Sequence, residues 1–148
     1  MLQCQSKTYI RIKVQIRVYF EDTDCGQIVY HTNYIKYCER ARSELFFAKG
    51  AKPYIGDCGF VLSSIEAKFH TVARLGDLLE VRTHITQIKH SSIVANQEIY
   101  RIYNALSEVN EEILIFSMDC VLAFVDTSKQ KIIKIPPQMR AILEQHKL

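Results

Sequence analysis

A chain of 148 residues, 48% of them hydrophobic, has the length of one domain and enough apolar area for its own core, so one unit over residues 1–148 is expected. Its 19 Lys and Arg against 16 Asp and Glu leave a net charge of +3 spread along the chain, which suits an anionic small molecule and falls short of a nucleic-acid footprint. The five cysteines contain no C-x-x-C pair and the N-terminal residues carry no apolar leader core, while no run approaches the roughly 18 apolar residues of a membrane span, so a disulfide framework, a zinc knuckle and an inserted segment are all disfavoured and a cytoplasmic location is expected.

From residue 10 to 20 the alternation is strict, with Ile10, Ile12, Val14, Ile16, Val18 and Phe20 on one face and Arg11, Lys13, Gln15 and Arg17 on the other, which predicts a strand with one buried face. The segment EDTDCGQIVYHTN breaks that period and reads as a loop. Over 33–49 Tyr34, Cys38, Ala41, Leu45 and Ala48 recur at helical steps, with Thr32 or Asn33 available to cap the start and Gly50 to end it. Further strands are expected at 61–69, 79–85, 93–103 and 113–125, with a turn at Gly76 and Asp77. The last of these runs alternates weakly, which predicts burial on both faces. After the strand-like IIKI, Pro136 and Pro137 lead into a short terminal helix. The order is a strand, one long helix, an antiparallel meander of about four strands and a short C-terminal helix, an α+β pattern. One helix covers one sheet face, so the other face or an edge is expected to meet a second subunit.

The densest cluster of reactive side chains is the loop holding Glu21, Asp22, Asp24, Cys25 and His31, between the first strand and the helix. Thioester hydrolysis needs a base or nucleophile and donors for the developing oxyanion. Asp24 can supply the first, and the backbone amides near Tyr30 and His31, at a helix N-terminus, the second.

The stretch VYFEDTDCGQIVYHTNYIKYCERARSE at 18–44 resembles the bacterial Tol-Pal-associated acyl-CoA thioesterases of the 4-hydroxybenzoyl-CoA thioesterase family, and ARLGD at 73–77 is similar to a second stretch of that family. The resemblance implies a hotdog fold, in which a long central helix is wrapped by an antiparallel sheet of about five strands, assembled as a homodimer or a dimer-of-dimers tetramer with sites between subunits. It implies acyl-CoA as substrate, with CoA part of the substrate and no separate cofactor. The catalytic carboxylate falls on Asp24, and the backbone N–H facing the thioester carbonyl falls on His31. Contacts to the nucleotide and pantetheine, partly from the neighbouring subunit, fall on Lys89, His90, Ser91 and Ser92. Gln27 stands where many relatives have Gly, and Val72 where they often have Pro.

Other readings of the same residues are structural. Asp22 reads as a turn or charge partner, Cys25 lacks a placed histidine, and no spacing here matches a metal motif. Tyr34, Tyr37, Phe46 and Phe47 read as packing residues, His70, His84, His90 and His146 as surface or strand-end residues, and Arg40 and Arg42 as a solvated pair with a lesser chance of binding phosphate. Against hydrolysis stand hydration of acyl thioesters and a non-enzymatic role, as an acyl-carrier-protein-binding or scaffold protein of envelope or phospholipid biogenesis, which the basic excess would suit.

Overall fold

The computed structural model describes residues 12–147. Ile10 and Arg11, at the start of the first expected strand, and Cys4 lie outside the described residues. Strand β1 (Lys13–Arg17) follows the alternation, with Val14 and Ile16 half-buried between exposed Lys13, Gln15 and Arg17. Phe20, placed on that face by its period, is instead exposed, because the chain leaves the strand and closes a 3₁₀ turn at Phe20–Asp22.

Helix α1 spans His31–Phe47, two residues earlier than the periodicity predicts. Tyr34, Cys38, Ala41 and Leu45 face the sheet as expected, joined by Tyr37 and Phe46. The N-cap is Tyr30, with no side-chain cap, so neither Thr32 nor Asn33 fills that role. Asn33 is buried and its Nδ2 donates to the Asp22 carbonyl at 2.9 Å instead. Gly50 ends the helical region as predicted, at φ +67°, where a Cβ is disfavoured.

The remaining strands are β2 (Tyr54–Ile55), β3 (Cys58–Phe69), β4 (Leu78–Ile88), β5 (Ser92–Asn104), β6 (Val109–Asp126) and β7 (Lys131–Ile132), followed by α2 (Pro137–Glu144). They form an antiparallel sheet in the order β1-β4-β5-β6-β3-β2, with β7 on β6. Only β4, β5 and β6 make the expected meander. Strand β3 pairs with β6 and not with β4, since the connection from Phe69 to Leu78 is too long for a hairpin turn and carries the chain across to the other side of the sheet.

Helix α1 lies over β1, β4 and β5. On β6, Phe116, Met118, Cys120, Leu122 and Phe124 are buried while Ser117, Val121, Ala123 and Val125 opposite them stay partly exposed. Its weak alternation therefore reflects apolar residues on a partly open face rather than burial on both. Register places Phe60, Leu62, Ile65, Ala67 and Phe69 of β3 on the helix side, opposite those buried β6 residues. The helix covers this row only in part: the rings of His31 and Tyr34 lie 6.3 and 6.1 Å from that of Phe69, yet Leu62 is 43%, Ile65 38% and Phe69 53% exposed. Beyond Gly59 no described strand pairs with the outer edge of β3. In α2, Met139 and Leu143 pack under β4, and beyond it the His146 carbonyl accepts the Ile85 N–H at 3.0 Å. His84 and His146 are buried, unlike the surface residues the sequence predicts. No described helix is long and apolar enough to cross a membrane.

Candidate active site

The loop between β1 and α1 is itself a small hairpin. Thr23 bridges Val29, the Asp24 N–H donates to the Ile28 carbonyl at 3.0 Å, and the Gln27 N–H returns to the Asp24 carbonyl at 3.0 Å. Asp24 therefore sits at the start of the tip, with Cys25 and Gly26, opposite the residue that lies three before the helix. Its Oδ1 accepts the Gly26 N–H at 2.9 Å, an Asx turn that fixes the carboxylate direction while the side chain stays exposed. The tight tip forces Gln27 to φ +59°, the left-handed region that glycine occupies most cheaply.

Three groups hold this hairpin to the body. Asp22 is buried, its Oδ2 accepting the Tyr19 N–H at 2.9 Å and its carbonyl accepting both the Tyr30 N–H at 3.0 Å and Asn33 Nδ2. The structural reading of Asp22 thus has a specific content: it ties strand end, loop and helix start together. The second group is the segment 73–77, the turn that leads into β4. Ile28 bridges Arg74, the Val29 N–H donates to the Ala73 carbonyl at 2.9 Å, and the Leu75 N–H donates to the Gln27 carbonyl at 3.2 Å. The third is Tyr34, whose hydroxyl accepts the Ala73 N–H at 3.0 Å, and whose phenol is pushed up by burial.

Asp77 anchors segment 73–77 in turn. It is 1% exposed, Oδ2 accepts the Arg74 N–H at 2.9 Å, Oδ1 accepts the Ala105 N–H at 2.8 Å, and Arg101 stands 3.7 Å away. Gly76 beside it has φ +88°, and a Cβ there would come within 3.0 Å of the Ala105 Cβ. The sequence marks Asp77 only as a turn residue and Asn33 only as a possible helix cap, not as the anchors they are here. The G-D turn and the N-Y step after His31 were the available signals, but a side chain's hydrogen-bond partners are set by elements far away in sequence.

At the helix start, the Tyr30 N–H is occupied by Asp22, whereas the N–H of His31, as the first helical residue, has no intrahelical acceptor. The His31 ring is exposed and lies 4.5 Å from that of Tyr30 and 6.3 Å from that of Phe69, centroid to centroid. Beneath it Tyr34 stacks on Phe116 at 5.4 Å. Tyr37, also buried, lies beside Asp22. Its phenol is raised first by burial and then by that carboxylate, although its hydroxyl makes no hydrogen bond of good geometry. Cys25 is exposed at the hairpin tip.

The structure brings Asp24, Tyr30 and His31 to one end of the sheet. It does not bring Lys89, His90, Ser91 and Ser92 there. These four form the turn after β4, and β4 starts at the Asp24 end and runs eleven residues away from it, roughly 30 Å. The turn's backbone is held by the opposite end of the molecule: the Lys89 N–H donates to the Ser92 carbonyl, Ser91 and His90 carbonyls accept the Phe124 and Ile135 N–H groups, and Arg140 reaches the Lys89 carbonyl. Within one chain the two sets cannot touch the same ligand atoms.

Residues 26–106 match the family model described as the thioesterase superfamily. The chain is 43% identical over 130 residues to the acyl-CoA thioesterase YbgC of Helicobacter pylori, covering 88% of this chain and 98% of that protein. It is 38% identical over 109 residues to the acyl-CoA thioester hydrolase YbgC of Escherichia coli O157:H7, covering 70% and 79% respectively. Among solved structures, the 4-hydroxybenzoyl CoA thioesterase from Pseudomonas sp. strain CBS-3 superimposes with a TM-score of 0.76 at 22% identity, over 89% of this chain and 98% of that one.

Proposed function

Since the chain belongs to the thioesterase superfamily and carries its hotdog fold, we propose that it is an acyl-CoA thioesterase in which Asp24 and the N-terminus of α1 act on the same thioester. The observation that carries this reading is the hairpin 23–29, which fixes the Asp24 carboxylate on the loop leading directly into a helix whose His31 N–H has no intrahelical acceptor. A carbonyl oxygen directed at that N–H gains a donor and the favourable end of the helix dipole as its charge develops. Tyr30 contributes its ring rather than its amide, because Asp22 already accepts that N–H. The His31 imidazole, exposed beside Phe69, is placed to order a water molecule or relay a proton.

Two chemical routes fit the carboxylate. As general base, Asp24 takes a proton from the water that attacks the carbonyl carbon, and the C–S bond breaks with the proton passing to the CoA thiolate. As nucleophile, it attacks the carbon itself, expels the thiolate and leaves a mixed anhydride that water then hydrolyses. After a single turnover in oxygen-18 water, label found in the Asp24 carboxylate excludes the pure general-base route, since only an anhydride opened at the Asp24 carbonyl carbon places it there.

A second copy of the chain completes the substrate site. Support comes from the open outer edge of β3 together with the partly exposed apolar row of Leu62, Ile65 and Phe69, which are an unstable combination in water. Pairing across that edge gives a homodimer, from which a tetramer can be built. It also supplies the route by which Lys89, His90, Ser91 and Ser92 of one subunit meet CoA bound near Asp24 of another. Within the family we place the chain in the Tol-Pal-associated branch on its 18–44 motif, and in the cytoplasm on the free thiols of Cys25, Cys38, Cys58 and Cys120.

The reading is tested with thiol release from an acyl-CoA panel, comparing wild type and Asp24→Asn. The expected loss in kcat/KM is about 10²-fold or more with an unchanged far-UV spectrum. A variant within roughly threefold of wild type removes Asp24 from the chemistry.

A further inference from the structure

We propose that the cavity beside the C-terminal half of α1 is a binding site for a small apolar carboxylate, with Arg42 taking the charge. The cavity is about 190 Å³, and Phe46, Phe60, Ile93, Leu122 and Leu143 are among its apolar lining residues. An apolar cavity of about 150 Å³ accepts a benzene-sized molecule, so this one takes a body of roughly six to eight carbons.

The charge argument rests on Arg42, a residue with no assigned part in the hydrolysis. Arg42 is half-buried, lines the cavity, and donates from Nη1 to Oε1 of Gln97 at 2.8 Å. Gln97 is fully buried, and its Nε2 donates to the Cys38 carbonyl at 2.8 Å and to Thr83 Oγ1 at 2.9 Å. With its NH₂ group spent on α1 and β4, the amide can present only its oxygen to the guanidinium, so the cation is held in one orientation. Among the described residues no carboxylate lies within 4.0 Å of Arg42. Glu39, at the cavity mouth, is exposed and accepts the Ser43 hydroxyl at 2.9 Å. A half-buried cation bonded only to a neutral amide lacks the counter-charge that buried charges normally have. A carboxylate supplies it, and an apolar body fills the adjoining space; inorganic phosphate would supply the charge and leave the cavity empty.

The site is separate from the Asp24 hairpin within the protomer. His31 and Arg42 lie about three turns apart on α1, roughly 16 Å. Hydrolysis of an apolar acyl thioester releases this class of ligand, yet the binding claimed here does not depend on Asp24 being the catalytic group.

Calorimetric titration of the full chain with hexanoate and with its neutral isostere hexanamide tests the proposal, with Arg42→Gln, Leu122→Phe and Asp24→Asn as variants. Hexanoate is expected to bind at least about tenfold tighter than hexanamide, because a charge-assisted bond replaces a neutral one. From butanoate to octanoate the affinity rises roughly fourfold per methylene and then levels off as the cavity fills. Arg42→Gln removes the preference for the acid, Leu122→Phe weakens both ligands, and Asp24→Asn binds as wild type does. Equal affinity of acid and amide in the wild type overturns the proposal, even if Arg42→Gln does not fold. So does an acid preference that survives in Arg42→Gln or disappears in Asp24→Asn.

Discussion

Replacing Asp77 with Ala removes one buried carboxylate from beneath the candidate active site. Two backbone N–H groups, of Arg74 at 2.9 Å and Ala105 at 2.8 Å, lose a charged acceptor, and Arg101 at 3.7 Å loses its counter-ion. Hydrogen bonds to a charged group contribute about 1.5–3 kcal/mol each, and water reaching the vacated space recovers part of that, so the net loss is about 3–5 kcal/mol. Asp77→Asn keeps one acceptor oxygen and should lose roughly half as much. Because the chain has no Trp, urea unfolding is followed by far-UV circular dichroism, at fixed protein concentration. With a slope near 2 kcal/mol/M the Ala midpoint should fall by about 2 M. At permissive temperature the folded fraction should also hydrolyse roughly tenfold more slowly or worse, since segment 73–77 positions Gln27 to Val29 and hence Asp24. A loss below about 1 kcal/mol would mean that Asp77 does not anchor this turn.

Three other outcomes are expected. Gln27→Gly relieves a left-handed residue and should raise stability by about 0.5–1 kcal/mol in thermal unfolding; a fall in melting temperature would contradict the strain. Burial pushes the Cys38 thiol from its ordinary 9.0 up to about 12, so the native state keeps a proton that the unfolded chain releases. The stability from that thiol is complete below pH 9 and declines as pH rises from 9 to 12 by about 1.4 kcal/mol per unit; Cys38→Ala should flatten the slope, and an equally steep one would refute the assignment. Ile65→Glu places a charge in the partly exposed row of β3 and should shift sedimentation mass to the monomer, whereas an unchanged mass would put the subunit contact elsewhere.

Sequence by itself determined the main elements and the loop between β1 and α1. A strand repeats every two residues and a helix every 3.6, so Val14 and Ile16, or Tyr34, Cys38, Ala41 and Leu45, declare their faces without knowledge of the rest of the chain. The break in period at EDTDCGQ marks the loop for the same reason, and Gly50 and Gly76 mark turns because a left-handed backbone leaves few other choices. Tertiary structure decided what those elements meet. It set β3 beside β6 rather than β4, buried His84 and His146, turned the Gln97 amide onto Arg42, and put the 89–92 turn at the far end of the sheet from Asp24. Each of these depends on pairing between residues tens of positions apart. That pairing is chosen by the free energy of the whole packed sheet, and no local period records it.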